Sequence, residues 1–233
     1  MTDLARISGP DHNADFGKLV TINADSLPWR STEVDGLTEK LFERIGSGAQ
    51  ARETALVRLM PGTVLPSKRT ECRVDVFVLE GAVELAGQHR PEGHYVRIPK
   101  GFEIAVRSTV GATLMVKKRG GAADGNALAL DTRDRANWAA WGGRGSEKAQ
   151  LFNPGALPEA SWVGFMLPDL TIPEHSHAGG EEIFLLEGGL RDERGSYGPG
   201  AWVRFPVGVT HTPTSLSKGC LMLVREGDAA FPG

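Results

Sequence analysis

Hydrophobic residues along this chain fall in short alternating runs stopped by glycine or proline, the pattern of β-strands. Val74-Asp-Val-Phe-Val-Leu-Glu80 ends at Gly81, and Glu181-Glu-Ile-Phe-Leu-Leu-Glu187 ends at Gly188. Tyr95-Val-Arg-Ile-Pro99 and Trp202-Val-Arg-Phe-Pro206 alternate and then stop at a Pro-x-Gly turn. Residues 114–117 and 221–224 supply a last apolar strand to each set. Leu37, Leu41, Phe42 and Ile45 also fit helical spacing, but their neighbours are strands, so 37–45 is read as strand. Many short strands bounded by turn residues predict an all-β chain of closed sheets or jelly rolls.

The runs occur twice. Residues 59–116 laid on 166–223 without a gap give 14 identities in 58 positions. Among them are Pro61/Pro168, Pro66/Pro173, Phe77/Phe184, Gly81/Gly188, Gly93/Gly200, Arg97/Arg204, Pro99/Pro206 and Gly101/Gly208. Six of these eight are the Gly and Pro residues that fix turns, so the chain is read as two copies of one barrel. The expected division is an extension over 1–19, a first barrel over 20–118, a linker over 119–127 and a second barrel over 128–233. The linker, Arg119 to Ala127, is small, polar and glycine-rich.

Composition narrows the function. At 233 residues, 40% hydrophobic and 24% charged, the chain has ordinary globular make-up with room for two small domains. The 30 glycines and 14 prolines fit frequent turns. A net charge of −3 leaves no basic footprint for nucleic acid. No apolar run approaches the roughly 18 residues that span a bilayer, and the polar start is not a signal peptide, so a cytoplasmic protein with no membrane partner is expected. Cys72 and Cys220 are too few and too far apart for a metal clasp or disulfide framework and read as reduced thiols.

The second copy carries the chemistry. It contains Pro173-Glu-His175-Ser-His177-Ala-Gly-Gly-Glu181, six residues to Gly188, then Gly200-x5-Pro206-x-Gly208-x2-His211. Alternation along a strand points His175 and His177 to one face. The glycine bend lets Glu181 start the next strand towards the same place, and the Pro-x-Gly turn can bring in His211. Three imidazoles and a carboxylate suit one divalent transition metal, Fe(II) or Zn first, then Mn or Ni. Glu182 is expected on the opposite face of its strand, in a salt bridge. His12, His89 and His94 read as ordinary surface or core residues. In the first copy the same positions are Lys68, Thr70, Val74 and Ile104, so that barrel is expected to bind no metal. Lys68 and Arg69 are expected to reach solvent rather than line an anion pocket. Arg97 and Arg204 recur before the turn. Each is expected in a salt bridge, with Arg204 also weighed as a substrate-binding residue. Trp29, Trp138, Trp141 and Trp162 are expected to fill the core or a contact between barrels.

These blocks resemble the cupin motifs G-x5-HxH-x3,4-E-x6-G, from its HxH onward, and G-x5-PxG-x2-H-x3-N, with Ser215 where Asn is usual. His-Ala-Gly-Gly-Glu-Glu, Trp-Val-Arg-Phe-Pro and His-Thr-Pro look like ChrR-type cupins in particular. The resemblance implies two tandem double-stranded β-helix barrels, a bicupin. It also implies kinship with the cupin domain of certain anti-sigma factors and with dioxygenases of small ketones. An oxygenase acting on a small ketone or diketone is therefore one expectation. A regulatory sensor is another, although the anti-sigma zinc domain, with its closely spaced His and Cys, has no counterpart before Cys72. A third is a small-molecule binding protein without turnover, and a homodimer is a further expectation. Hydrolysis is disfavoured because no Gly-x-Ser-x-Gly elbow occurs.

Overall fold

The computed structural model describes residues 4–47, 51–121, 127–152 and 159–227. Apart from two single-turn 3-10 segments, its regular elements are all strands.

The first barrel is built on an antiparallel sheet. Its order is Leu128–Asp131, His94–Ile98, Arg73–Leu85, Ala112–Arg119, Arg52–Leu59, Leu37–Ile45 and Arg30–Ser31. Arg73–Leu85 is long enough to bend out of this sheet, and its far end pairs with Gln88–Pro91 and Glu103–Ser108. Thr63–Arg69 pairs with Glu103–Ser108 to close the other wall. Alternate residues turn inward as the sequence pattern predicts: Val74, Val76 and Val78 meet Val96, Ile98, Val57 and Leu114 in one buried cluster. Leu37–Ile45 is a strand, and a register shift between Leu41 and Glu43 explains its helix-like spacing. The bulge flips the alternation, so apolar residues stop falling at every second position.

The second barrel repeats the arrangement. Its sheet runs Val20–Asn23, Ala201–Phe205, Glu181–Asp192, Thr214–Glu226, Ala160–Met166, Ser146–Phe152 and Trp138–Ala140. Trp162, Met166, Ile183, Leu185, Val203 and Met222 form its core. Trp162 is buried with Trp141 against it, ring centres 4.5 Å apart, whereas Trp29 is half-buried under the Arg58 guanidinium at 4.0 Å.

Two features depart from the sequence division. The outer strands are exchanged. Val20–Asn23 pairs with Ala201–Arg204 of the second barrel, and Leu128–Asp131 pairs with His94–Arg97 of the first. One compact unit is therefore 1–14 with 28–133, and the other is 15–27 with 134–233. Nor is the start of the chain a mere extension. Leu4 and Ala5 are buried in the first core, and the Ala5 carbonyl accepts a hydrogen bond from the Glu71 amide at 2.8 Å. Of the expected linker, residues 122–126 lie outside the described residues.

The repeat also contains one insertion. Leu114 lies opposite Val78 and Val57, whereas Met222 lies opposite Leu185 and Gly164, so Leu114 and Met222 are equivalent. The hairpin loop Ser215-Leu-Ser-Lys-Gly219 is one residue longer than Ser108-Thr-Val-Gly111. The gapless match of Leu114 to Leu221 is therefore a coincidence of sequence, and Lys118 is the counterpart of Glu226.

Candidate metal centre

A small antiparallel ladder places the histidines. His175–Ser176 pairs with Thr210–His211, with His175 directly opposite His211. The carbonyl of His177 accepts from the Gly180 and Gly208 amides, both at 3.1 Å, which ties the His-x-His segment to the Pro-x-Gly turn. The reversal into Glu181 needs its two glycines for separate reasons. Gly180 has φ +73°, and a Cβ on Gly179 would lie 2.3 Å from the Gly227 Cα. Glu181 then opens the central strand, between Phe205 and Glu226.

The four side chains meet. Nε2 of His211 lies 3.1 Å from Nε2 of His175 and 3.5 Å from Glu181 Oε2, and Nε2 of His177 lies 3.4 Å from Glu181 Oε1. All three imidazoles thus present Nε2 to one point. Behind the His175 ring the Pro173 carbonyl takes a hydrogen bond at Nδ1, at 2.8 Å, whereas behind the other two rings stand carboxylates beyond hydrogen-bond distance, Glu226 Oε1 at 3.8 Å from His177 Nδ1 and Asp192 Oδ2 at 4.0 Å from His211 Nδ1. A proton on Nδ1 facing an acceptor leaves the Nε2 lone pair for a metal. His177 Nε2 and Glu181 Oε2 are buried with no hydrogen-bond partner, which leaves these donors available for a cation. The donor set fits a divalent transition metal.

Electrostatics point the same way. Burial, then the charges of His175 and His177, holds His211 down at about 4, and burial also lowers His177. Both shifts favour the neutral imidazole that ligation requires. Burial, then the charge of Glu226, pushes Glu181 well above the usual carboxylate range. A divalent cation at this point reverses that balance and keeps the carboxylate ionised. The site is sided. His211 and Glu181 are buried, Phe205 packs 4.7 Å from the His211 ring, and His175 and His177 are half-buried.

Glu226 is the residue that motif spacing missed. Its Oε1 accepts from the Trp162 indole N–H at 3.1 Å, and it joins His177 and Glu181 in a second group with ligand-like spacing. The available signal was alternation: Met222 and Val224 face inward, so the next inward position, a glutamate, faces the site. Glu182 lies on the other face, between Arg204 and Arg225 in the ladder.

Arg204, weighed as a substrate contact, is on that other face too. It is fully buried, donates to the Asp15 carbonyl at 2.8 Å and stacks 4.0 Å from the Phe16 ring, so it does not reach the cluster. Its counterpart Arg97 makes the expected salt bridge, two-pronged to Asp75 at 2.7 and 3.0 Å. In the first barrel Lys68 lies opposite Ile104, as His175 lies opposite His211.

A family model for the ChrR Cupin-like domain matches the sequence twice, over residues 18–121 and 129–230. Solved structures share the fold. A provisionally assigned dioxygenase from Nostoc punctiforme aligns with a TM-score of 0.76 at 18% identity, covering 93% of this chain and 85% of that one. A provisionally assigned glyoxylate-induced protein from Pseudomonas aeruginosa gives 0.76 at 14%, covering 100% and 98%. Oxalate decarboxylase from Bacillus subtilis, which has Mn(II) centres, gives 0.67 at 10%, covering 91% and 78%. No curated protein matches the sequence significantly. No helix among the described residues is long and apolar enough to cross a membrane.

Proposed function

The chain belongs to the ChrR cupin-like family, with two tandem barrels, and from that premise we propose that the second barrel is a metal-dependent oxygenase of a small ketone or diketone. His175, His177, Glu181 and His211 hold one divalent metal, Fe(II) for this chemistry. Zn, Mn and Ni suit the same donors. The observation that supports the reading is the gathering of three imidazoles beside a buried carboxylate, Glu181, which lies 3.4 and 3.5 Å from His177 and His211 Nε2 and whose Oε2 has no hydrogen-bond partner.

When bound, the metal supplies Lewis-acid polarisation of a chelating substrate and redox access to dioxygen. The protein supplies the rest. Glu181 and His211 form the buried floor, and the half-buried His175 and His177 mark the side from which a small molecule approaches. Phe205 walls the floor with apolar surface that excludes water. Glu226, held by the Trp162 indole, sets a negative charge 3.8 Å behind the His177 ring.

Protein loaded anaerobically with Fe(II) is expected to consume oxygen with at least one member of a panel of β-diketones and hydroxyacetophenones. Metal analysis of protein purified without a His-tag is expected to show one metal per chain in wild type and none in His175→Ala/His177→Ala. Equal metal in both overturns the ligand set. Full metal without oxygen uptake overturns the oxygenase alone.

A further inference from the structure

We propose that the first barrel carries a second, metal-free site for a compact apolar molecule bearing one amine. A cavity of about 260 Å³ lies in this barrel, walled by Leu37, Leu65, Ile104 and Val106. It borders two of the four positions that hold ligands in the second copy, since Lys68 and Ile104 occupy the ladder positions of His175 and His211. Neither position carries a metal donor, and the space beside them stays open. The cleft opens to solvent at its exposed lining residues, and an apolar cavity of about 150 Å³ already accepts benzene. The room here suits a substituted six-membered ring.

The polar lining comes from Glu33, Asp35 and Lys68, all exposed. Two carboxylates against one ammonium leave one negative charge at the mouth, which favours an amine over a carboxylate, modestly because water screens it. The lining also includes Leu4 and Ala5, both buried in the core. The site shares no residue with the metal cluster, so its success or failure is independent of the oxygenase reading.

The test is a methyl NMR titration of the full chain, metal-loaded and chelated, with cyclohexylamine, cyclohexanol and cyclohexanecarboxylate. Saturable shifts at Leu37, Ile104 and Val106 are expected with the amine, in both metal states, and about threefold or more weaker binding of the carboxylate. Val34→Trp, at a half-buried wall residue, is expected to abolish the shifts while keeping thermal stability and metal content. Ile104→Phe fills the same space from inside and provides a second variant should the first fail to fold. Absence of saturable binding in wild type, tightest binding of the carboxylate, or binding lost on chelation overturns the proposal.

Discussion

Each imidazole of the cluster has a neighbour behind it, and the three differ in kind: a hydrogen-bonded backbone carbonyl for His175, and the nearby carboxylates of a half-buried glutamate for His177 and a buried aspartate for His211. Partners of this sort typically change metal affinity by about 10- to 100-fold. Glu226→Gln is therefore expected to weaken metal binding by that order in chelator competition, whereas Glu182→Gln, on the opposite face, leaves it unchanged. The thiols give a second prediction. Burial pushes Cys72 and Cys220 up to about 11, against an ordinary value of 9.0. The unfolded chain releases these protons near pH 9 and the fold only near 11, so their contribution is intact below pH 9 and is lost as pH rises to 11. Melting temperatures are expected to fall across that window, and by less in Cys72→Ala/Cys220→Ala. His175, His177, Glu181 and His211 were legible because their spacing repeats a strand-turn-strand geometry. Glu226 was missed because alternation marks it only as inward-facing, and tertiary register is what sets it beside Glu181.

At the level of elements, the glycines shared by the two copies have unequal weight. Gly188 has φ +67°, and a Cβ there would lie 2.0 Å from the Gly219 carbonyl oxygen. Gly208 has φ +73° with nothing within 4 Å. Backbone strain alone costs about 1–2 kcal/mol at such a φ. Gly208→Ala is expected to lose about that much in denaturant unfolding. Gly188→Ala is expected to lose more than about 3 kcal/mol, since the crossing hairpin must also move. The strands themselves were legible from alternation and punctuation. Two local irregularities hid from it: the bulge after Leu41, which mimicked helical spacing, and the extra loop residue before Gly219, which the Leu114/Leu221 identity concealed.

For the whole molecule, the two-barrel plan followed from the repeat, but the membership of the outer strands did not. Val20–Asn23 and Leu128–Asp131 are both short extended segments, and nothing local in either names its distant partner. A fragment of residues 134–233 lacks the strand that covers Ala201–Phe205 and is expected to aggregate through that open edge. The same fragment with residues 15–27 joined ahead of it is expected to stay soluble and to retain metal by elemental analysis.

The exchange also sets a timetable for synthesis. Val20–Asn23 leaves the ribosome about 180 residues ahead of its partner Ala201–Arg204. At about 5–20 residues per second that is a delay of roughly 10 to 35 s. During it the first barrel can finish as soon as Leu128–Asp131 emerges, while the earlier strand keeps an unpaired edge. A segment near the beginning of the chain is thus among the last to be placed. Slowing translation between the two copies lengthens the interval in which that edge needs protection.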